Sequence, residues 1–227
     1  MSELSSHATE YAAVEEEPPE VMARNLGAAA QLLASASAFF FLAFLFAYFY
    51  LRSVNNGGLW RPKHVDPSVT FGTLVTVAMV ASAVVLRLAA GDQRVERSPA
   101  ARLKMGVGFA LGVAAVALQA ITWARDDFGP ADGGYASVFL GWTGCYVLFV
   151  VIALFWLETL LATAIRYRNT PAGERPPAGH ASGDSYRDSH DIADPLLVGR
   201  SGIEACSFYW TFLAGLAVVT WVVLYLL

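Results

Sequence analysis

Long uncharged runs alternate with short polar stretches along the whole chain. Residues 25–51, 67–86, 105–124, 133–157 and 205–227 contain no Asp, Glu, Lys or Arg. Each run is about 20 residues or longer, which at about 1.5 Å per residue crosses a hydrocarbon layer of about 30 Å. A segment in lipid must satisfy its own backbone amides, so each run predicts a helix. Core helices of soluble domains are commonly about 8–20 residues and seldom free of charge throughout. The pattern therefore predicts an all-α membrane protein, a bundle of five transmembrane helices.

The polar stretches divide the chain further. Residues 1–23 form an acidic tail without a periodic apolar face, and 24–168 hold helices one to four. Residues 169–199 form a hydrophilic linker rich in Pro, Gly, Ser and charge, and 200–227 hold helix five. Tail and linker bury too little apolar surface to order themselves. The linker carries His180, Asp184, Asp188, His190 and Asp191. Their irregular spacing favours a solvated segment over a set of metal ligands. The lead-in to the first run, "VEEEPPEVMAR", is acidic, and the run exceeds the apolar core of a signal peptide, so no cleaved signal is expected.

Only 15% of residues are charged, and mean hydropathy is +0.48. The cations orient the bundle. Arg24, five in the second connection (Arg87, Arg94, Arg97, Arg102, Lys104) and five in the fourth (Arg166, Arg168, Arg175, Arg187, Arg200) total eleven. Arg52, Arg61, Lys63 and Arg125 on the other side total four. Basic loops stay in the cytoplasm, so the N-terminus is expected inside and the C-terminus outside. Tyr48, Tyr50, Trp123, Tyr135, Trp142 and Tyr225 then fall at outer span ends, and Trp156, Tyr167, Tyr209 and Trp210 toward inner ones. This is the distribution of interfacial aromatic belts.

Candidate chemistry at depth is sparse. All four histidines (His7, His64, His180, His190) lie outside the runs, which leaves the spans no histidine for haem or copper. Cys145 and Cys206 belong to consecutive antiparallel spans, near opposite faces, too far apart to bridge. Neither has a neighbour that would activate a thiolate, which argues against an intramembrane cysteine enzyme. No Gly- or Pro-broken half-helices mark a transporter site. What remains is packing. Gly108 and Gly112 sit four apart among alanines, and Ala28, Ala34, Ser35, Ala36 and Ser37 give helix one a small face. Such residues let helices approach closely, within this chain or with a partner.

Three segments carry a resemblance. "GIEACSFYWTF" resembles the last-helix signature of subunit III of the haem-copper respiratory oxidases, near G-F-E-A-x-x-W-Y-W-H-F-V-D, through Gly202, Glu204, Ala205, Tyr209, Trp210 and Phe212. "TGCYVLFV" resembles the family's T-G-F-H-G-x-H-V, with Thr143, Gly144 and Val150 retained. "SASAFFFLAFLFAYFYLR", followed by Trp60 and Pro62, is similar to the first helix of its short, five-span form. The departures are all polar. Ala36, Ser37 or Ala38 stands where the family has an acid, and Tyr146, Phe149, Thr211, Ala214 and Arg200 replace motif histidines and an aspartate.

The resemblance implies a non-catalytic accessory subunit in aerobic respiratory electron transport. It would pack against a catalytic subunit I, beside a subunit II, in the inner (plasma) membrane of a bacterial-type cell. It implies no cofactor in this chain, with haem and copper in the partner. The family associates its missing polar groups with proton supply, whereas scaffolding and phospholipid binding need mainly shape and interfacial aromatics. Glu204, Tyr209, Trp210, Phe212, Thr143, Gly144, Gly108 and Gly112 are the expected lipid or subunit contacts, with no catalytic or metal residue and no nucleic-acid partner. Glu204, in the first turn of its span, is also favoured there by the helix dipole. An accessory subunit of a quinol oxidase or nitric oxide reductase is the close alternative, and a small transporter the distant one.

Overall fold

A computed structural model describes residues 19–55, 57–93, 99–166 and 195–227. The expected linker up to residue 194, and the tail up to residue 18, lie outside the described residues, as do His7, His180 and His190; the last five linker positions, 195–199, and the last five of the tail, 19–23, are helical instead and open α5 and α1. Five long helices follow one another: α1 (Pro19–Ser53), α2 (Val69–Gln93), α3 (Pro99–Arg125), α4 (Gly134–Arg166) and α5 (Pro195–Trp221). The last runs into a π-helical turn, Val222–Leu226. All five are long and apolar enough to cross a membrane, and no strand occurs among the described residues.

The boundaries follow local chemistry. Proline opens α1, α3 and α5, a position where its fixed φ suits a helix and its missing N–H would be unpaired anyway. After α1 the chain turns through Gly57 and Gly58, whose φ of 79° and 81° suits residues without a Cβ. The first and third connections then pair. Gly134 N–H donates to Leu59 O (3.4 Å), and Tyr135 N–H to Trp60 O (2.9 Å). Trp60 stands edge-on to both Tyr48 and Tyr135. These connections and the C-terminus share one end of the bundle, the loop end; the opposite, linker end carries the starts of α1, α3 and α5.

The buried positions of α3 are Ala101, Met105, Gly108, Gly112, Ala115, Gln119 and Thr122. Alternate steps of four and three make a seam with the 3.5-residue period of supercoiled helices. It faces α2 through Met79, Ser82 and Leu86, all buried. Small residues make this approach possible in a solvent as apolar as the side chains themselves. In α1 the buried positions are Ala30, Ala34, Ser37, Phe41 and Tyr48, whereas Ala28, Ser35 and Ala36 are exposed. The small face expected of helix one thus narrows to every third or fourth residue. Half of the most apolar window of α5 is buried, against 22% for α1. Helix α5 is central, with α1 and α2 on its flanks and α4 behind it.

Several supposed interfacial aromatics are core residues. Tyr48, Tyr135, Trp142, Tyr209 and Trp210 are each at most 1% exposed. Their polar atoms find partners inside the bundle, so water at the interface is not needed. Trp142 Nε1 donates to Thr220 Oγ1 (2.9 Å), Trp210 Nε1 to Ser82 Oγ (2.9 Å), and Tyr135 Oη to Leu224 O. Ser37 Oγ and Tyr209 Oη share a hydrogen bond of 3.1 Å. Tyr50, by contrast, is 54% exposed.

Candidate interaction face

Little of α5 remains uncovered. Phe208, Gly215, Val218 and Val219 are exposed, and Glu204 and Thr211 are partly so. Positions 204, 208, 211, 215 and 218 again step by four and three, which draws one narrow strip along the helix. It runs between α1 and α2, which make no extended packing with each other. On the α1 side the strip opens into a groove of about 460 Å³, lined by Phe41, Leu42, Leu45, Trp142, Phe212 and Gly215 among others. Its walls are almost wholly apolar, as suits an aliphatic chain.

Polar groups occupy the linker-end half of the strip. Arg200 Nε donates to Glu204 Oε1 at 3.3 Å, and both side chains are partly exposed. An exposed pair of this kind adds only a few tenths of a kcal/mol. Further along, Ser207 Oγ bonds Glu204 O (3.0 Å). Thr211 Oγ1 donates to Ser207 O (2.7 Å) and accepts from Arg87 Nε (2.9 Å). Arg87 had been counted in the second connection; it lies inside α2, six residues before Gln93. The backbone can carry a cation there because the side chain rests on the α5 hydroxyl. Arg102 and Lys104, counted with it, lie in the first turns of α3, where Lys104 Nζ reaches Asp92 Oδ2 at 2.5 Å.

The expected contact residues separate into two groups. Glu204, Phe212 and Gly144 reach the periphery. Tyr209, Trp210, Thr143, Gly108 and Gly112 are buried in this chain's own bundle. Gly108 lies under Leu86 and Gly112 under Trp210. Thr143 Oγ1 accepts from Trp123 Nε1 (3.0 Å). Cys206 is buried and Cys145 half-buried, both free thiols. Among the described residues no group of three or more His, Cys, Asp or Glu side chains is placed to hold a metal ion. The sequence reading missed Arg87, although an arginine directly after "VASAVVL" was a signal that a charge extends the span.

At the loop end three buried polar atoms have no hydrogen bond of normal geometry among the described residues: Gln119 Nε2, Asp126 Oδ2 and Tyr225 Oη, the first and last of which lie close to each other. Asp126 lies just beyond α3. Burial, reinforced by the neighbouring Asp127, raises its carboxyl from an ordinary value of 3.8 to about 6.

A multi-pass helical membrane module, open along one strip of its central helix, is the class that this architecture defines. The family model for cytochrome c oxidase subunit III matches residues 16–187, and the chain belongs to that family. It is 26% identical over 199 residues to the cytochrome c oxidase subunit 3 of Latimeria chalumnae. It is 28% identical to that of Formosania lacustris over 199 residues and 27% to that of Gallus gallus over 200. Each match covers 86% of this chain and 65% of the relative, so the chain spans just under two thirds of the relatives' length.

Proposed function

We propose that this chain is the non-catalytic accessory subunit of a haem-copper terminal oxidase of the cytochrome c oxidase type. Haem and copper reside in the catalytic subunit, beside which a second large subunit sits, and this chain packs against that assembly and stabilises it. The linker end faces the cytoplasm of a bacterial-type cell, as its arginines and lysine suggest. The groove between α1 and α5 takes a phospholipid acyl chain. The acidic tail ahead of α1 and the hydrophilic linker ahead of α5 bracket helices one to four on the aqueous side.

One observation carries the reading: the subunit III family match extends over residues 16–187, which include four of the five spans. Extraction in mild detergent, followed by affinity purification, tests it. A haem-bearing large subunit should accompany the chain in fixed proportion, with the visible spectrum of an oxidase. A chain that emerges alone, without haem or copper in its fractions, refutes the reading. Turnover of the purified complex with reduced cytochrome c, and not with quinol alone, separates it from a quinol oxidase.

A further inference from the structure

The unpartnered polar atoms of the loop end, Gln119 Nε2, Asp126 Oδ2 and Tyr225 Oη, belong to one neighbourhood. The Gln119 amide lies beside the Tyr225 hydroxyl, and the Asp126 carboxylate is near enough to act on that hydroxyl. Tyr225 stands on the π-helical turn Val222–Leu226, a departure from α geometry of the kind frequent at functional sites. Its ring is held from two further helices. It fills the notch that Gly72 leaves in α2, where a Cβ would stand 2.5 Å from Tyr225 Cζ, and it meets Phe139 of α4 edge-on at 5.7 Å. Tyr135 Oη donates to Leu224 O of the same turn, and Trp221 Nε1 just before it donates to Thr73 Oγ1 of α2 (2.9 Å). Asp126 arrives from α3, where its N–H donates to Thr122 O at 3.0 Å and keeps it against the helix end.

Among the described residues no cation offsets the Asp126 carboxylate. Arg125, its chain neighbour, lays its guanidinium over Phe71 of α2 at 4.9 Å. Elsewhere at the loop end Arg61 is bound to Asp66, His64 stands 4.0 Å from Asp132, and Arg52 lies over Tyr48. The charge that does act on Asp126 is another carboxylate, Asp127. Tyr225 faces it from the α5 turn, while α2 and α4 bring Phe71, Gly72 and Phe139 to this cluster, none of them ionisable. Burying an ionised group without a partner is costly, so the neutral carboxyl is the form that the closed cluster keeps. Its rise to about 6 agrees. The neutral form also supplies what the cluster lacks, an O–H donor on Oδ2 for the lone pairs of Tyr225 Oη.

We propose that Asp126 and Tyr225 form a proton-operated latch at the loop end. The protonated Asp126 carboxyl donates to Tyr225 Oη and holds the π-helical turn against the end of α3; the ionised carboxylate turns out to water and frees the turn. The proton comes from the aqueous phase at this end and returns to it, which in the orientation proposed above is the outside of the cell. The latch requires only the geometry of this chain, so it stands apart from the proposed function. Burial raises the carboxyl in the closed state from about 3.8 to about 6, so closure is strongest at low pH and is lost as pH rises through about 6. Between those two values of the open and closed states, opening becomes about 10-fold more favourable from pH 5 to pH 7.5.

The test uses the full chain with whatever native partners accompany it, in lipid nanodiscs, and reads hydrogen exchange at the amides of Tyr225, Leu226 and Leu227 as protection relative to the intrinsic rate at each pH. Wild-type protection should be about 10-fold higher at pH 5 than at pH 7.5, while the amides of the buried α3 seam show no such step. Asp126→Asn stays neutral and should abolish the step, with the pH 5 level of protection kept at pH 7.5. Tyr225→Phe keeps the ring against Gly72 and takes away the acceptor, so its step should shrink. Equal protection at both pH values in the wild type overturns the latch, and so does a full step in Asp126→Asn. An undiminished step in Tyr225→Phe overturns it as well, since the carboxyl would then answer to burial alone. A chain that purifies without a haem-bearing partner and still shows the step removes the proposed function and supports the latch.

Discussion

Trp210 and Gly112 offer the sharpest test of how this bundle is held. The indole is 0% exposed and pinned by its N–H to Ser82 Oγ, which in turn donates to Gly108 O at 2.7 Å. A Cβ at Gly112 would stand 2.7 Å from Trp210 Cζ2 and 3.0 Å from Leu154 Cδ2, both well inside normal contact. A rigid ring fixed at its nitrogen cannot swing aside as a flexible chain end could. Overpacking of this kind costs about 1–3 kcal/mol, and the better helix propensity of alanine returns about 0.8–1. Gly112→Ala should therefore destabilise by up to about 2 kcal/mol. Trp210→Phe removes the offending ring atoms together with one interhelical hydrogen bond, a bond worth about 0.6 kcal/mol on average in membranes. In the double variant the new methyl has room, so the combined loss should fall short of the sum by about 1 kcal/mol. Denaturant unfolding in mild detergent, followed by circular dichroism, reads all four corners of the cycle. Gly144→Ala, where nothing lies within 4 Å of the added carbon, isolates the propensity gain and should stabilise by about 0.8–1 kcal/mol. Losses that add to within about 0.3–0.5 kcal/mol would show that the indole is not the obstacle.

Three further outcomes follow from the same coordinates. Gly133 has φ 141°, and a Cβ there would lie 2.9 Å from both Leu59 O and Pro62 Cδ, so Gly133→Ala should separate the first and third connections. Faster amide exchange at Gly134 and Tyr135 would reveal it, and unchanged exchange would count against it. Asp126 is raised by burial to about 6 in the folded chain, against about 3.8 unfolded, so the folded state holds more proton between those values. Stability should fall as pH rises from about 4 to about 6 and then level off. Asp126→Asn should remove that slope and raise the thermal midpoint above pH 6; a slope that persists in the variant rules Asp126 out as its source. Tyr209→Phe removes the buried Ser37–Tyr209 bond between α1 and α5, and should cost about 0.6–1.7 kcal/mol in the same unfolding assay; because Ser37 Oγ keeps its bond to Leu33 O, no loss would mean that the interhelical bond adds nothing to the α1–α5 contact.

The spans were legible because charge is expelled from hydrocarbon whatever the fold, and a helix covers each uncharged run to within two residues. Which face of each helix turns inward was far less legible. In water an inward face is apolar and an outward face polar; in lipid both are apolar, and the contrast that periodicity detects disappears. Phe39 and Phe41 show it: two residues apart and chemically alike, one is 75% exposed and the other 3%. Gly108 and Gly112 could be read, since small size is informative where polarity is not. Tyr135, Trp142, Tyr209 and Trp210 were assigned to the interface by a rule that treats their polar atoms as seekers of water. Hydroxyls and carbonyls on neighbouring helices satisfy the same atoms inside the bundle. Ser82, Thr143 and Thr220 were therefore the missing half of the pattern, and each is unremarkable alone.

The polar groups of the spans divide by what they bond. Ser37, Ser82, Thr143 and Thr220 each join one helix to another, and each is at most 7% exposed. They hold the bundle together in a solvent that gives helices no hydrophobic reason to associate. Thr211 also bonds across helices, but the group it bonds is a cation with donors to spare, on the face left uncovered. A hydroxyl that only tied α2 to α5 would be served as well by a neutral partner, as Ser82 and Trp210 show at the next level up. The arginine directly follows the uncharged run 67–86, and its long exposed side chain lets the cation reach the α5 hydroxyl from the linker-end edge of the span. Glu204, paired with Arg200 on the same strip, shows the same rule at the first turns of α5: where the span meets its polar end, charge is carried in pairs or on a hydroxyl.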